Sequence, residues 1–476
     1  MEQKRSEPRS EYAALSDDVL SKNTLRDADE SNTGLPLWTA ASSYLVAYLY
    51  VAAFLFGFAL DVHSVHGYQR GPQNWQVLLF TVVFFGWAAV CIGKIRKYDN
   101  CKAKMLVAVF GENREASFWL GCGLVISVAT ALGRCNATGG YAGLVLHGIA
   151  AYWVLCATGT LTEDATGPFF VWDVFHAFVV APFGGFALRI KTMVYAAVAG
   201  IRNVRGRMGE KKLNVKNLLF SLCFVGLALP FLCLAGSLLS QADRAGFAGF
   251  WQGLTNLVQL RRQPLPEWVW SAVMRFAVSL PVGAYLYGLV AGSARREKPV
   301  LDSAAVRRGA EQLRAAPKSA LVVVIGLFCA LYAVFFVFQA GHLFGAFFGV
   351  VPGSATASEY AREGFFQLCQ VMVINFGLLT VSAKCSRVPL RSNKLLRAFA
   401  LILMAESLLL AVTAGSKLWL YIARFGFTPL RLLSSWAVVV LAAGCVLAVA
   451  TILRPCRAVQ KWIWFAAGSF ALLCLY

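Results

Sequence analysis

Two ionisable residues lie inside apolar runs that are long enough to cross a membrane, and they are the first candidates for chemistry. Arg275 lies about eight residues from one end of a run at 268–292, and Glu406 lies about nine residues from one end of a run at 396–415. Charges within a bilayer are costly, so they usually face the protein interior and find partners. At a rise of about 1.5 Å per residue both would lie roughly 12–14 Å below the same boundary. The spacing permits an ion pair, which could lock two helices together or form part of a binding site or proton relay.

Other polar residues mark the run at 364–383. Asn375 lies near its middle, where an amide more often bonds one helix to another than binds a ligand. The stretch "SEYAREGFF" places Glu359, Arg362 and Glu363 directly before the run. A carboxylate suits the first turn of a helix, because the N-terminal end of the helix dipole is positive.

The histidines and cysteines do not indicate a metal site. Asp173 and His176 have the i, i+3 spacing that shares a helix face, yet two ligands are too few. His147 is better explained as a hydrogen-bonded core histidine than as a metal ligand. The 13 cysteines form no C-x-x-C pair, so we predict neither a metal, nor a cofactor, nor a disulfide framework. The motifs of the common hydrolases, metalloproteases and nucleotide-binding enzymes are missing, which favours a protein that is not an enzyme without deciding the matter.

The elements that must position these residues are membrane helices. Hydrophobic residues make up 58% of the 476-residue chain and charged residues only 14%, about half the charged share of a soluble protein. Runs of about 20 apolar residues can cross a hydrocarbon core. We predict an all-α, polytopic helical bundle with about 11 spans, in a range of 10 to 13. The predicted spans are 38–60, 75–93, 117–133, 139–161, 217–240, 268–292, 319–338, 364–383, 396–415, 432–452 and 461–476.

The distribution of basic residues predicts the orientation of these spans. With the N-terminus in the cytoplasm, the inner loops hold 29 Lys and Arg residues and the outer segments hold nine. This bias follows the positive-inside rule and places the C-terminus outside. The net charge of +20 is therefore explained by topology and by attraction to anionic lipid headgroups on the cytoplasmic side, and we predict no nucleic-acid partner.

The segment near 164–200 does not fit this alternation. It is apolar enough to cross, but one crossing there would invert every later loop. Pro168, Pro182, Gly184 and Gly185 interrupt it, and broken helices at membrane depth are tolerated where protein or water covers them. We predict a re-entrant or interfacial segment, with a hairpin of two half-spans as the alternative.

The domain organisation predicted from these patterns is simple. Residues 1–36 are polar and form a disordered tail, and residues 37–476 form a single integral membrane domain. The polar loops near 189–216 and 295–318 are too short to form a hydrophobic core of their own.

Three motifs within 358–436 resemble the bacterial family called domain of unknown function 4173, which is allied to domain of unknown function 4153. They are an E-Y-x-R-x-G-F-F-x-L start to one span, an A-E-S-L-L-L span, and L-Y-x-x-x-x-G-x-T-x-x-R. The matching residues are Glu359, Tyr360, Arg362, Gly364, Phe365, Leu368, Glu406, Ser407, Tyr421, Gly426, Thr428 and Arg431. Lys417 departs from the pattern, in which arginine is more frequent. The resemblance implies a multi-pass protein of the bacterial cytoplasmic membrane and no established activity.

The resemblance and the predicted topology together define a candidate polar cluster on the outer side. Its members are Glu359, Tyr360, Arg362, Glu363, Glu406, Ser407, Tyr421, Arg424, Thr428, Arg431, Arg275 and Asn375. Three hypotheses remain open. In the first, the protein transports or binds a ligand through this cluster. In the second, it is a structural or envelope-signalling partner, and the charges form ion pairs that hold helices together. In the third, it is an intramembrane transferase or hydrolase acting on lipid or glycan.

Overall fold

The structure is a computed structural model that describes most of the hydrophobic part of the chain. The described residues are 35–55, 74–96, 114–135, 138, 140–163, 165–205, 249, 267–296, 308–309, 314, 316–339 and 365–476. The predicted tail, the predicted span at 217–240 and residues 359–363 lie outside these ranges, apart from Leu35 and Pro36.

The described residues form α-helices joined by short connections and contain no β-strand. Nine helices among them are long and apolar enough to cross a membrane. The predicted fold class, an all-α polytopic membrane bundle, is confirmed.

The chain divides into two compact units. The first comprises Met1–Leu106 and Ala177–Arg295, and the second comprises Val107–His176 and Arg296–Tyr476. The helices of the first unit are α1 (Leu37–Tyr50, continued by a π-helical turn at Val51–Leu55), α2 (Asn74–Ile95), α6 (Ala181–Arg205) and α7 (Glu267–Ala294). Within this unit, α7 packs against α6, α1 and α2, and α1 also packs against α2.

The helices of the second unit are α3 (Arg114–Ala131), α4 (Gly140–Thr158), α5 (Phe170–Phe175), α8 (Lys318–Gln339), α9 (Phe365–Cys385), α10 (Lys394–Phe425), α11 (Pro429–Leu453) and α12 (Ala458–Leu473). This unit is built around the long helix α10, which packs against α8, α9 and α11. Further contacts join α11 to α12, α12 to α3, and α3 to α4.

The segment near 164–200 differs from the prediction. A helical run extends from Phe170 through a π-helical turn at His176–Val180 into α6, which ends at Arg205. Its part Phe170–Val198 is long and apolar enough to cross a membrane. The prediction that prolines and glycines interrupt this segment is wrong, and so is the hairpin of two half-spans.

A hydroxyl group from α7 replaces the helical hydrogen bond that Pro182 cannot make, and two glycines allow α6 and α7 to pack closely. Pro182 has no N–H, so it cannot bond the carbonyl of Phe178 four residues earlier. The hydroxyl of Tyr285 donates to that carbonyl at 2.7 Å instead. Gly185 and Gly288 let α6 and α7 approach so closely that a Cβ atom on Gly288 would lie 2.3 Å from the carbonyl oxygen of Pro182. These glycines serve helix packing, as small residues do between membrane helices.

Three other elements differ from their predicted spans. Helix α10 runs ten residues past the predicted end at 415, to Phe425. Helix α12 has 16 residues, about 24 Å, which is short of a bilayer core of about 30 Å. Helix α3 occupies the predicted third span, but neither α3 nor α12 is among the nine helices that qualify as spans. The exact number of spans and the position of the C-terminus therefore stay predictions.

Candidate functional site

The predicted site residue Glu406 lies within the second unit on α10, between α8 and α9. Asn393 caps the start of α10, because its side chain accepts hydrogen bonds from Leu395 N at 3.0 Å and Leu396 N at 3.1 Å. This cap fixes where the helix begins. Glu406 follows 12 residues after Lys394 and stands 19 residues before Phe425, so it lies nearer the N-terminal end of the helix.

A chain of buried hydrogen bonds joins three helices beside Glu406. The hydroxyl of Tyr332 on α8 donates to Asn375 Oδ1 on α9 at 2.7 Å. Asn375 Nδ2 donates to Ser407 Oγ on α10 at 2.8 Å, and Ser407 Oγ donates to the Leu403 carbonyl at 2.8 Å. Asn375 and Ser407 are fully buried. Asn375 thus forms hydrogen bonds with both α8 and α10.

Glu406 is the ionisable member of this group. Its carboxylate lies close to Cys329 and Tyr332 on α8, and the Cys329 thiol itself donates to the carbonyl of Phe399 at 3.7 Å. Its Oε2 atom is buried, and within the described ranges it has no hydrogen-bond partner. A buried carboxylate oxygen without a partner is unfavourable as an anion. The carboxyl group can therefore hold a proton, or it can accept a cation that compensates its charge.

The Arg275 side chain belongs to the other unit. Arg275 lies on α7 in the first unit, whereas Glu406 lies in the second. The predicted ion pair between the two stays a prediction. The predicted charges Glu359, Arg362 and Glu363, with Tyr360, fall outside the described residues.

The third family-like motif forms the corner between α10 and α11. Gly426 directly follows the last residue of α10 and has a φ of 77°, a conformation that glycine adopts without strain. The Thr428 hydroxyl caps α11 by accepting from Arg431 N at 3.4 Å, and a proline follows it at the first turn. The Arg431 guanidinium stacks 4.0 Å from the centre of the Tyr421 ring and donates to the carbonyls of Phe425, at 2.8 Å, and Gly426.

The predicted cluster thus separates into two groups within the second unit. Glu406 and Tyr421 are 15 residues apart on one helix, which is about 22 Å. The group around Arg431 supplies hydrogen bonds and ring contacts that shape a helix corner, while Arg424 lies exposed in the last turn of α10. The group around Glu406 is the one with an ionisable side chain that has a buried oxygen without a hydrogen-bond partner among the described residues.

The carboxylate of Glu115 is buried as well, and the sequence patterns do not single it out. Glu115, in the first turn of α3, is only 7% exposed. Its oxygens accept hydrogen bonds from Thr166 N at 3.1 Å, Thr166 Oγ1 at 2.7 Å and Trp464 Nε1 at 3.2 Å, and also from Gln460 Nε2. The only local signal is an acidic residue directly before an apolar run, and its partners lie 51 to 349 residues away.

The histidines and Asp173 have separate partners. Asp173 Oδ1 accepts from Thr162 N at 3.2 Å and Thr162 Oγ1 at 2.6 Å. The Arg296 guanidinium, which can only donate, bonds His176 Nε2 at 3.0 Å. His147 Nδ1 bonds the carbonyl of Gly143 at 2.6 Å, as expected for a core histidine. Over the described part of the chain, no three His, Cys, Asp or Glu side chains are grouped to hold a metal ion.

Comparison with known proteins gives one relationship. No curated protein and no solved structure matches the chain significantly. The model of a family described as a domain of unknown function, DUF4153, matches residues 120–476, which is three quarters of the chain and includes the whole of α10 with Glu406. The chain belongs to the DUF4153 family of proteins.

Proposed function

We propose that this membrane protein transports or binds a small ligand, and that Glu406 binds the proton or small cation involved. The buried Oε2 atom of Glu406 is the observation that supports this. Tyr332, Asn375 and Ser407 use their hydrogen-bonding groups on one another, so they hold α8, α9 and α10 around the carboxylate. A proton or a cation is the ligand chemistry that a single carboxylate at membrane depth favours.

We also propose the membrane in which the protein lies and its orientation there. The chain would lie in the bacterial cytoplasmic membrane, with its N-terminus in the cytoplasm, its C-terminus outside and the ligand entering from the outer side. The excess of basic residues in alternate loops supports this orientation. The motifs within 358–436 support a position close to domain of unknown function 4173 inside the family.

Carbodiimide labelling tests the role of Glu406. A hydrophobic carbodiimide reacts with protonated carboxyl groups that water does not reach, so we expect the full-length protein in membranes to be labelled at Glu406. Glu406→Gln should abolish this labelling, and Glu115→Gln is the matched control, because the Glu115 carboxylate is occupied by four hydrogen bonds. Raising the pH, or adding the cation that binds, should suppress labelling at Glu406.

Three results would argue against the proposal. One is the absence of labelling at Glu406 at every pH, and another is equal loss of labelling in both variants. The third comes from Cys329, which lies close to Glu406. In a variant that keeps only this cysteine, complete protection from a membrane-impermeant thiol reagent would exclude an aqueous path to the site.

A structural role is the second candidate function. The continuous chain of hydrogen bonds from Tyr332 to Leu403 favours it, because such a chain ties three helices together whatever Glu406 does. In that case Glu406→Gln lowers the amount of folded protein in the membrane, and Asn375→Leu lowers it at least as much. Under the ligand-binding proposal Glu406→Gln leaves the amount of folded protein unchanged.

A further inference from the structure

An amphiphilic cavity lies at one end of the second unit, away from the Glu406 carboxylate. It has a volume of about 570 Å³, within the usual range for sites that hold an organic ligand. Its walls come from the last turns of α9 and α11, the first turn of α12 and the connection between α9 and α10.

The inner wall of the cavity is apolar. Phe376, Leu379, Leu447, Ala448 and Trp462 line it. Phe376 precedes the end of α9 by nine residues, so the apolar part extends about 14 Å inward along the helix. The wall is therefore long enough to lie along the first part of an acyl chain.

The wall is also held in place. The rings of Phe376 and Trp462 lie 5.4 Å apart, and Trp462 Nε1 donates to the carbonyl of Val440 at 2.8 Å. A Cβ atom on Gly444 would lie 2.9 Å from the Phe376 ring and 3.0 Å from Trp462 Nε1. The two rings thus close directly over the backbone of α11.

The rim of the cavity is basic. Arg314, Lys384, Arg387 and Arg391 line it, and among the described residues that line the cavity none is acidic. Arg391 donates to the carbonyls of Thr451 and, at 2.9 Å, Arg454, which holds its charge at the C-terminal end of α11. Lys384 and Arg387 are exposed, so both can reach a ligand at the mouth.

We propose that this cavity binds a membrane phospholipid with an anionic headgroup. The acyl chain would lie against the apolar wall, and the basic side chains of the rim would bind the headgroup phosphate. Charge complementarity selects this occupant, because basic pockets between membrane helices suit anionic headgroups. The predicted orientation places this end of the unit in the cytoplasm, where anionic headgroups attract basic loops. The inference does not depend on a role for Glu406.

Lipid titration of the purified full-length protein tests the site. Native mass spectrometry in mild detergent would measure the bound fraction of phosphatidylglycerol and of phosphatidylcholine with the same acyl chains. We expect phosphatidylglycerol to bind more tightly. The double variant Lys384→Gln/Arg387→Gln should weaken its binding roughly 10- to 30-fold, with phosphatidylcholine little affected.

The matched control removes the same charge from the same end of the unit. Lys394 and Arg397 are exposed basic residues in the first turn of α10, and they do not line the cavity. Lys394→Gln/Arg397→Gln should retain binding. If both double variants lose phosphatidylglycerol binding equally, the effect comes from general surface charge and the proposal is overturned. Equal affinity of the unchanged protein for the two lipids would also overturn it.

Two further measurements keep the test decisive. Ala448→Phe fills the apolar wall and should lower the binding of both lipids. If that variant does not fold, Arg314→Gln, an exposed change at the rim, should weaken phosphatidylglycerol alone. Inorganic phosphate separates the two sources of an anionic group: displacement of the lipid by millimolar phosphate would mean that a free phosphate, and not a lipid, is the occupant.

Discussion

The substitution Gly288→Ala tests the account of how α6 and α7 pack in the first unit. The added Cβ atom would lie 2.3 Å from the carbonyl oxygen of Pro182 and 2.9 Å from the carbonyl carbon of Gly185. A carbon and a carbonyl oxygen in contact are usually about 3.3 Å apart. Because both obstacles are backbone atoms, no side chain can rotate away, and the helices must separate by about 1 Å.

The expected loss of stability follows from this displacement. A gap of about 1 Å removes up to about half of the dispersion energy between the separated atoms, and overpacking typically costs about 1–3 kcal/mol. We take the upper end, about 3 kcal/mol, because the whole helix interface moves. Alanine gains about 1 kcal/mol over glycine in a helix, which leaves a net loss of about 2 kcal/mol in the free energy of unfolding.

Unfolding of the purified full-length protein by titration with a denaturing detergent, followed by tryptophan fluorescence, would measure this loss. Gly86→Ala in α2 is the matched control, because a Cβ atom there meets nothing within 4 Å, and it should be neutral or stabilising. Gly292→Ala should give an intermediate loss, because its Cβ would lie 3.2 Å from the carbonyl oxygen of Ala181. If Gly288→Ala is as stable as Gly86→Ala, the close crossing is refuted.

Three further predictions concern the second unit. Arg431→Gln removes the charged donor to the Phe425 carbonyl and should lower the free energy of unfolding by about 1–2 kcal/mol; an unchanged value would contradict its role in the corner. Glu115→Ala leaves four donor groups without their acceptor and should cost about 3 kcal/mol or more, so folded protein at wild-type yield and stability would speak against the network. Interaction with the neighbouring Cys474 thiol lowers the pKa of Cys135 below that of a free cysteine, because it stabilises the thiolate. Cys135 should therefore react with thiol reagents half-maximally at a pH below about 8.5, Cys474→Ala should move that midpoint up toward about 8.5, and a midpoint near 8.5 in the unchanged protein would refute the interaction.

The sequence predicts the existence of the membrane helices better than their ends. Apolar runs identify most of them, because the hydrocarbon core requires about 20 apolar residues per crossing. The end of α10 was missed because Gly415 and Lys417 reduce hydropathy, whereas nothing there ends a helix. The stop comes at Gly426, where the backbone takes a positive φ and the next helix is capped at once.

The continuity of the helical run through Pro182 could not be predicted from local sequence. Proline and glycine within a helical pattern indicate that the helix breaks, unless groups from elsewhere in the chain bond the backbone that they leave unpaired. Here the carbonyl freed by Pro182 bonds Tyr285, and Gly185 fits against Gly288, about 100 residues later in the chain. A local pattern does not distinguish a glycine that breaks a helix from one that lets another helix approach.

The carboxylates of Glu115 and Glu406 show why a candidate site needs both sequence and structure. The sequence draws attention to Glu406, because a charge within an apolar run is costly, and it passes over Glu115, which stands at the edge of its run. In the structure Glu115 is the more buried residue, yet its oxygens accept four hydrogen bonds and have little capacity left for a ligand. Glu406 is less buried, but its Oε2 atom has no hydrogen-bond partner among the described residues. Between these two, burial alone would choose Glu115, whereas the unused hydrogen-bonding capacity selects Glu406. The carbodiimide experiment compares these two side chains directly.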